Sequence, residues 1–129
     1  MNSADIRVQL VDDDEMIRDC MTAYFEDEGF TVYATAEPEE ALTVISEAYP
    51  TVCISDLRLP GMMGDEFIMK AHSISPKTAY MLHTGLRYQL SDELRGIGMK
   101  VDDVLLKPVH DLSKLVRKIR NIAEFGRKL

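Results

Sequence analysis

No apolar run in this chain approaches the roughly 20 residues that a membrane-spanning helix requires, so no such helix is expected. The opening stretch Met1-Asn2-Ser3-Ala4-Asp5 lacks the basic start and apolar core of a secretion signal, which points to a cytoplasmic location. Cysteine is scarce. Cys20 and Cys53 stand in helix-like and strand-like apolar surroundings with no metal-ligand spacing between them, and two buried, reduced thiols are the expected state. Basic residues are outnumbered, 15 Lys and Arg against 22 Asp and Glu, and a net charge of −7 disfavours general nucleic-acid binding. Internal repeats, low-complexity tracts and linker-like stretches are also absent. The 129 residues therefore suit one domain, 1–129, large enough to bury roughly two-thirds of its unfolded-chain surface.

What is present is an uneven distribution of charge. Residues 1–56 carry 14 acids and 2 bases, whereas residues 57–129 carry 8 acids and 13 bases. Much of the positive charge lies in the last helical segment, at Lys114, Arg117, Lys118, Arg120, Arg127 and Lys128. A solvated helix face, its cations suiting the carboxyl-terminal dipole, accounts for this simply. A partner-docking surface is the alternative.

Strand and helix patterns alternate along the chain. Ile6–Val11 reads as a strand, and Met16, Ile17, Cys20, Met21, Tyr24 and Phe25 then recur at helical spacing before Gly29. Phe30–Ala34 is a second strand, and Pro38 suits the first turn of a helix facing inward with Ala41, Leu42, Ile45 and Ala48. Val52–Ser55 is a third strand. Pro60 and Gly61 make 57–63 a loop, and a third helix follows near Asp65–His72. Ala79–His83 is a fourth strand, Gln89–Ile97 a fourth helix, and Asp103–Leu106 a fifth strand. Leu112, Leu115, Val116, Ile119 and Ile122 mark the final helix, with His110 at its start. Five β-α units of this kind predict an α/β protein with a parallel sheet covered by helices on both faces.

In such a sheet, ligands bind beyond the carboxyl ends of the strands. Asp12 and Asp13 follow the first strand, Asp56 ends the third, Thr84 ends the fourth and Lys107 follows the fifth. Three carboxylates about 5 Å apart repel by about 3 kcal/mol per pair at an effective dielectric near 20, and one lysine offsets only part of that. A hard divalent cation resolves the conflict, and Mg²⁺ favours such a set of carboxylates, waters and a phosphate oxygen. A phosphoryl group beside it needs an oxygen nucleophile, a cation and a hydrogen-bond donor, which Asp56, Lys107 and Thr84 can supply. Each residue alone has a plainer explanation: Asp13 or Asp14 as a helix cap, Asp56 as a turn former, Thr84 as a strand end. The joint arrangement does not.

With Leu10-Val11-Asp12-Asp13-Asp14, Ser55-Asp56-Leu57-Arg58-Leu59-Pro60-Gly61-Met62-Met63-Gly64, Thr84-Gly85 and Lys107-Pro108 in place, the chain resembles a response-regulator receiver domain. These are the CheY-like phosphoacceptor modules of two-component signalling, and the likeness runs from about Ile6 to Ile122. It implies a flavodoxin-like (βα)5 three-layer sandwich whose five-stranded parallel sheet has the order 2-1-3-4-5. It implies that Asp56 takes phosphate from a sensor histidine kinase or phosphotransfer protein. Asp13, Asp56 and the backbone carbonyl of Arg58 would ligate Mg²⁺, with Asp12 acting through water. Thr84 and Lys107 would contact the phosphoryl oxygens, and the Lys107–Pro108 peptide would be cis. The implied partner downstream is an effector protein or a fused output domain, reached through the face of the fourth helix, fifth strand and fifth helix. Direct nucleic-acid or membrane binding is not implied, and the family leaves room for a homodimer.

Two departures stand out. Receivers usually carry Tyr or Phe three residues before the lysine, where this chain has Val104, too small and stiff to change rotamer in the same way. Lys100-Val101 replaces the usual Gly-Ala, and the stretch from Thr84 to Lys107 is one residue longer than the CheY pattern. Tyr88 is a candidate substitute for the missing aromatic. Arg58 and Leu86 stand where phosphate lifetime is tuned in the family. His83 precedes Thr84, so strand alternation turns it away from the phosphate, into a packed or partly exposed position. An aspartate-nucleophile phosphatase is the enzymatic alternative, but those enzymes often place an acid two residues after the nucleophile, where Arg58 stands. A pseudo-receiver that only binds a partner is the other.

Overall fold

The computed structural model describes residues 2–109 and 111–126. The predicted start of the last helix at His110, and the cations Arg127 and Lys128, lie outside the described residues. A 3-10 turn over Ser3–Asp5 leads into β1 (Arg7–Val11), α1 (Glu15–Asp27), β2 (Thr31–Thr35), α2 (Pro38–Ala48) and β3 (Val52–Asp56). A short pair, β4 (Arg58–Leu59) and β5 (Met62–Met63), precedes α3 (Gly64–Ile74), β6 (Ala79–Thr84) and α4 (Asp92–Gly96). A second 3-10 turn, Val101–Asp103, then leads into β7 (Val104–Leu106) and α5 (Leu112–Phe125).

The main sheet is parallel with order β2-β1-β3-β6-β7, which is the expected 2-1-3-4-5 arrangement once the small β4-β5 pair is set aside. Every residue of β3 and β6 is buried, because both strands lie inside the sheet with helices on each face. One apolar layer joins Ala41 and Ile45 of α2, Phe67, Ile68 and Ala71 of α3, and Leu94 of α4 to Cys53, Tyr80 and Leu82. The other joins Met21 and Phe25 of α1 and Leu115, Val116 and Ile119 of α5 to Val8, Ile54 and Met81. Strand alternation produces both layers from the same few strands.

Local chemistry sets the boundaries. Asp14 caps α1 by accepting the Ile17 amide at 3.2 Å, and Ser91 caps α4 by accepting that of Leu94 at 3.2 Å. That cap explains why α4 begins at Asp92 and not at the expected Gln89. The segment 57–63 is not wholly irregular: Arg58 pairs with Met63 and Leu59 with Met62 around a turn in which Gly61 takes φ 76°. Cys53 is buried as expected, but Cys20 is exposed on α1, one turn beyond the 83% exposed Met16. The apolar spacing continued past the buried stripe onto the outer face.

Several polar contacts hold the layers in place. Lys118 of α5 pairs with the buried Asp103 at 3.0 Å, and Arg120 pairs with Glu28 at 3.2 Å while its guanidinium lies 4.8 Å from the Phe30 ring centre. Two of the basic residues of the last helix are therefore structural, while Lys114 and Arg117 remain exposed. Gln9, fully buried in β1, donates to the Ala41 carbonyl at 2.9 Å.

His83 is also interior, 3% exposed, on the same strand face as Ala79 and Met81. Burial, aided by the nearby Lys107 charge and opposed by Asp56, lowers its pKa to about 4, so the imidazole is neutral at pH 7. Its folded value lies below the unfolded one near 6.5. The unfolded state therefore binds the extra proton as pH falls through that window, and stability is lost on acidification. Between pH 7 and pH 4.5 this one group should remove about 2 kcal/mol. We expect His83→Leu to flatten the pH dependence of urea unfolding by that amount over this range. Equal slopes for the variant and the parent would contradict it.

Candidate functional site

The carboxyl ends of β1 and β3 are adjacent, since Val11 pairs with Ser55, and this brings Asp12, Asp13 and Asp56 to one point of the rim. A carboxylate oxygen from each lies within 4.8 Å of the others. Lys107 comes from beyond β7 and reaches across β6 to the same place. Its ammonium donates to Asp56 Oδ2 at 2.9 Å and lies 3.2 Å from Asp12 Oδ2. Its own amide donates to the Thr84 carbonyl at 2.9 Å, which fixes the root of that long side chain to the end of β6. The Lys107–Pro108 peptide is cis.

Asp12 is buried and Asp13 is exposed, so two adjacent acids on one strand end face different surroundings. Burial pushes the Asp12 carboxyl above its ordinary value, and Asp56 adds to the effect, against the Asp14 amide and Lys107. Burial works against the Lys107 charge too, but the hydrogen bond to Asp56 and the two carboxylates outweigh it and raise its pKa. Lysine is thus firmly charged while Asp12 is held at a cost. All the side-chain donors are carboxylate oxygens, a set suited to a hard divalent cation such as Mg²⁺ and poorly suited to a soft one.

Thr84 ends β6 beside Leu106, buried, with its hydroxyl oxygen accepting the Leu86 amide at 3.0 Å. Arg58 has an exposed side chain, and its amide makes a long contact of 3.4 Å with Asp56 Oδ1. Val104 lies in β7 opposite Leu82, half-buried, on the far side of β6 from the acids.

Three contributions to the site were not foreseen. Arg18, one helical turn past the cap Asp14, reaches back to donate to the Asp12 carbonyl at 2.7 Å. A cation at i+4 from a capping aspartate was the available signal. Gly64 starts α3 hard against Asp56: its amide donates to the Leu57 carbonyl at 2.6 Å, and a Cβ there would collide with the Asp56 carbonyl oxygen. Gly64 closes the Ser55–Gly64 motif, but spacing alone does not give it this contact. Tyr88, in the loop after Thr84, donates from its hydroxyl to Asp65 Oδ2 at 3.2 Å. That contact joins the loop after β6 to the first turn of α3, segments that sequence spacing could not relate.

Residues 8–120 match the family model described as the response regulator receiver domain. Among curated proteins, the cell cycle response regulator CtrA of Brucella ovis is 30% identical over 117 residues. Those residues are 91% of this chain and 50% of CtrA, so the chain spans about half the length of that relative. Among solved structures, a CheY-like receiver domain protein of Methanospirillum hungatei superposes with a TM-score of 0.74 at 29% identity, covering 90% of this chain and 91% of that one. The response regulator TrrA of Thermotoga maritima, solved in complex with Mg²⁺ and beryllofluoride, has a TM-score of 0.73 at 22% identity. It covers 88% of this chain and 98% of TrrA, and at that identity the likeness concerns the fold. Family model, relatives and fold agree with the rim geometry, and the chain belongs to the response regulator receiver family of two-component signalling.

Proposed function

We propose that Asp56 is the phosphoacceptor of this receiver and that the whole chain, 1–129, works as one phosphorylation-dependent switch. The single observation that carries the reading is the Lys107 ammonium set between Asp56 and Asp12, 2.9 and 3.2 Å away, with a third carboxylate beside them. In the proposed step an Asp56 carboxylate oxygen attacks the phosphorus of a phosphohistidine. The bond from phosphorus to the donor imidazole nitrogen breaks, and that nitrogen takes up a proton. Lys107 neutralises charge on the transferred group, and the Thr84 hydroxyl, which accepts the Leu86 amide at 3.0 Å at rest, turns to donate its proton to a phosphoryl oxygen. Asp13, Asp56 and the Arg58 carbonyl would hold Mg²⁺, with Asp12 behind them; when bound, the ion supplies positive charge to the crowded carboxylates and to the phosphoryl oxygens.

The partners that fit are a histidine kinase or phosphotransfer protein upstream and an effector protein or output domain downstream. The phosphoryl group adds roughly −1.5 to −2 charge at a site whose cation is already placed. The response is proposed to reach the face made by α4, β7 and α5.

Acetyl phosphate with Mg²⁺ should add one phosphoryl group, read by intact-mass spectrometry under conditions that preserve acyl phosphates, and Asp56→Asn should add none. An unmodified parent, or a variant modified as readily, would sink the proposal. The metal reading has its own check. Asp12 has a raised pKa, so the parent loses stability as pH rises through that group's folded value. Asp12→Asn is therefore expected to stabilise the metal-free protein at pH 7, read as a higher urea midpoint than that of the parent. Millimolar Mg²⁺ should raise the melting temperature of the parent and leave that of Asp13→Asn nearly unchanged. Identical Mg²⁺ responses in the two proteins would remove Asp13 from the metal set.

A further inference from the structure

We propose that the hydrogen bond from Tyr88 to Asp65 is the positioning contact through which a phosphoryl group at Asp56 moves α4, in place of an aromatic side chain at Val104. The inference rests on the phosphoacceptor reading above and deepens it.

The aromatic volume missing from β7 has not disappeared from this region. An open groove of about 620 Å³ runs beside Val104, and Tyr88, Leu90 and Leu106 line it. Tyr88 and Val104 pack against the same apolar layer, so a ring is supplied to that layer from the loop and not from the strand. Its hydroxyl ends at the junction of two helices. It donates to Asp65 at 3.2 Å, and Ser91, the cap of α4, lies close to the same hydroxyl.

One end of this contact leads back along the chain to the phosphoacceptor, and the other to Thr84 on the neighbouring strand. Asp65 follows Gly64, whose amide and missing Cβ seat α3 against the backbone of Asp56 and Leu57. Tyr88 follows Thr84 by four residues, and the loop between them is pinned by the Leu86 amide on the Thr84 hydroxyl oxygen. The two loops that flank Asp56 are thus closed into a ring by one side-chain hydrogen bond. A Thr84 hydroxyl that turns toward a phosphoryl oxygen leaves the Leu86 amide without its acceptor. The loop 85–90 must then rearrange, and the Tyr88–Asp65 distance has no reason to survive. Helix α4 is poorly placed to resist. It has five residues, its last is Gly96, and Gly98 follows at φ 99°. Its start depends on Ser91, next to the same hydroxyl.

Tyr88→Phe separates the latch from the packing, since the ring stays and only the hydroxyl is lost. Amide hydrogen exchange across 85–97 is the readout, on the full chain, with and without beryllofluoride and Mg²⁺. In the parent, beryllofluoride should speed exchange there about tenfold, the factor expected when one hydrogen bond to a carboxylate is given up. Resting Tyr88→Phe should already show that speed, with little further change on adding beryllofluoride, while protection in Val52–Ser55 stays that of the parent. Asp65→Asn, which keeps an acceptor but removes the charge, should fall between the two. Resting exchange in Tyr88→Phe equal to that of the parent overturns the latch, as does a beryllofluoride response undiminished by the substitution. The resting comparison needs no phosphoryl mimic. A parent that fails to take up beryllofluoride refutes the phosphoacceptor reading instead, and the two failures are therefore distinct.

Discussion

The Lys107 ammonium is the interaction on which the rest of the rim depends. A parallel sheet delivers its strand ends to one edge whether or not the residues there attract one another. Here it delivers Asp12, Asp13 and Asp56 with oxygens inside 4.8 Å. At that spacing each pair repels by about 3 kcal/mol at an effective dielectric near 20. Among the described residues, the ion pairs to these acids come from one cation, which starts two strands away and must cross β6. The Thr84 carbonyl holds the lysine's backbone, and four methylenes span the rest. Burial, with a smaller contribution from Asp56, raises the pKa of Asp12, so its charge is held at a cost in the resting site. Such a site favours any event that brings positive charge with it.

Rigidity is distributed unevenly around this point. On one side, the β4-β5 pair and the close seating of Gly64 leave the chain after Asp56 little freedom, because α3 starts at backbone contact with Asp56 itself. On the other side, residues 85–91 have no ladder or helix. They are held by the Leu86 amide, the Tyr88 hydroxyl and the buried Leu90. A charge added at Asp56 acts on both sides equally, but only the second can yield at small cost. Movement is directed by what resists it.

The fold and the acidic rim were legible in the sequence because they depend on period and on strand ends. Alternating five-residue apolar runs and helical repeats determine a doubly covered sheet, and a residue that ends such a run must sit at its edge. Asp12, Asp13, Asp56 and Lys107 needed nothing more. What was not legible depends on contacts between segments that no local pattern relates. The Arg18 contact requires the exact pitch at which α1 leaves β1. The role of Gly64 requires knowing that Asp56 stands against it, which its place at the end of the Ser55–Gly64 motif does not reveal. The exposure of Cys20 went unread for a related reason: apolar spacing on α1 extends beyond the stripe that the sheet covers, and composition cannot show where the stripe ends. Helix α4 was drawn too long because Gln89 and Leu90 fit a helical repeat, while Ser91 satisfies the first free amides two residues later.

The difference between Val104 and its usual aromatic counterpart follows from the same distinction. Residues at the rim are constrained by chemistry that tolerates few substitutes: a carboxylate cannot be moved one strand over and still meet Lys107. A ring that must fill space between β7 and the loop after β6 is constrained only in volume and reach, and either wall of the groove can supply it. Tyr88 supplies it here from the loop wall, and its hydroxyl gains a partner, Asp65, that a ring on β7 would have to cross the groove to meet. Placed on the loop, the ring moves with Thr84 because it is bound to it covalently. On the strand it would have to sense Thr84 across a gap. A valine at position 104 is then compatible with tight coupling between Asp56 and α4, and the departure from the family pattern does not by itself remove that coupling.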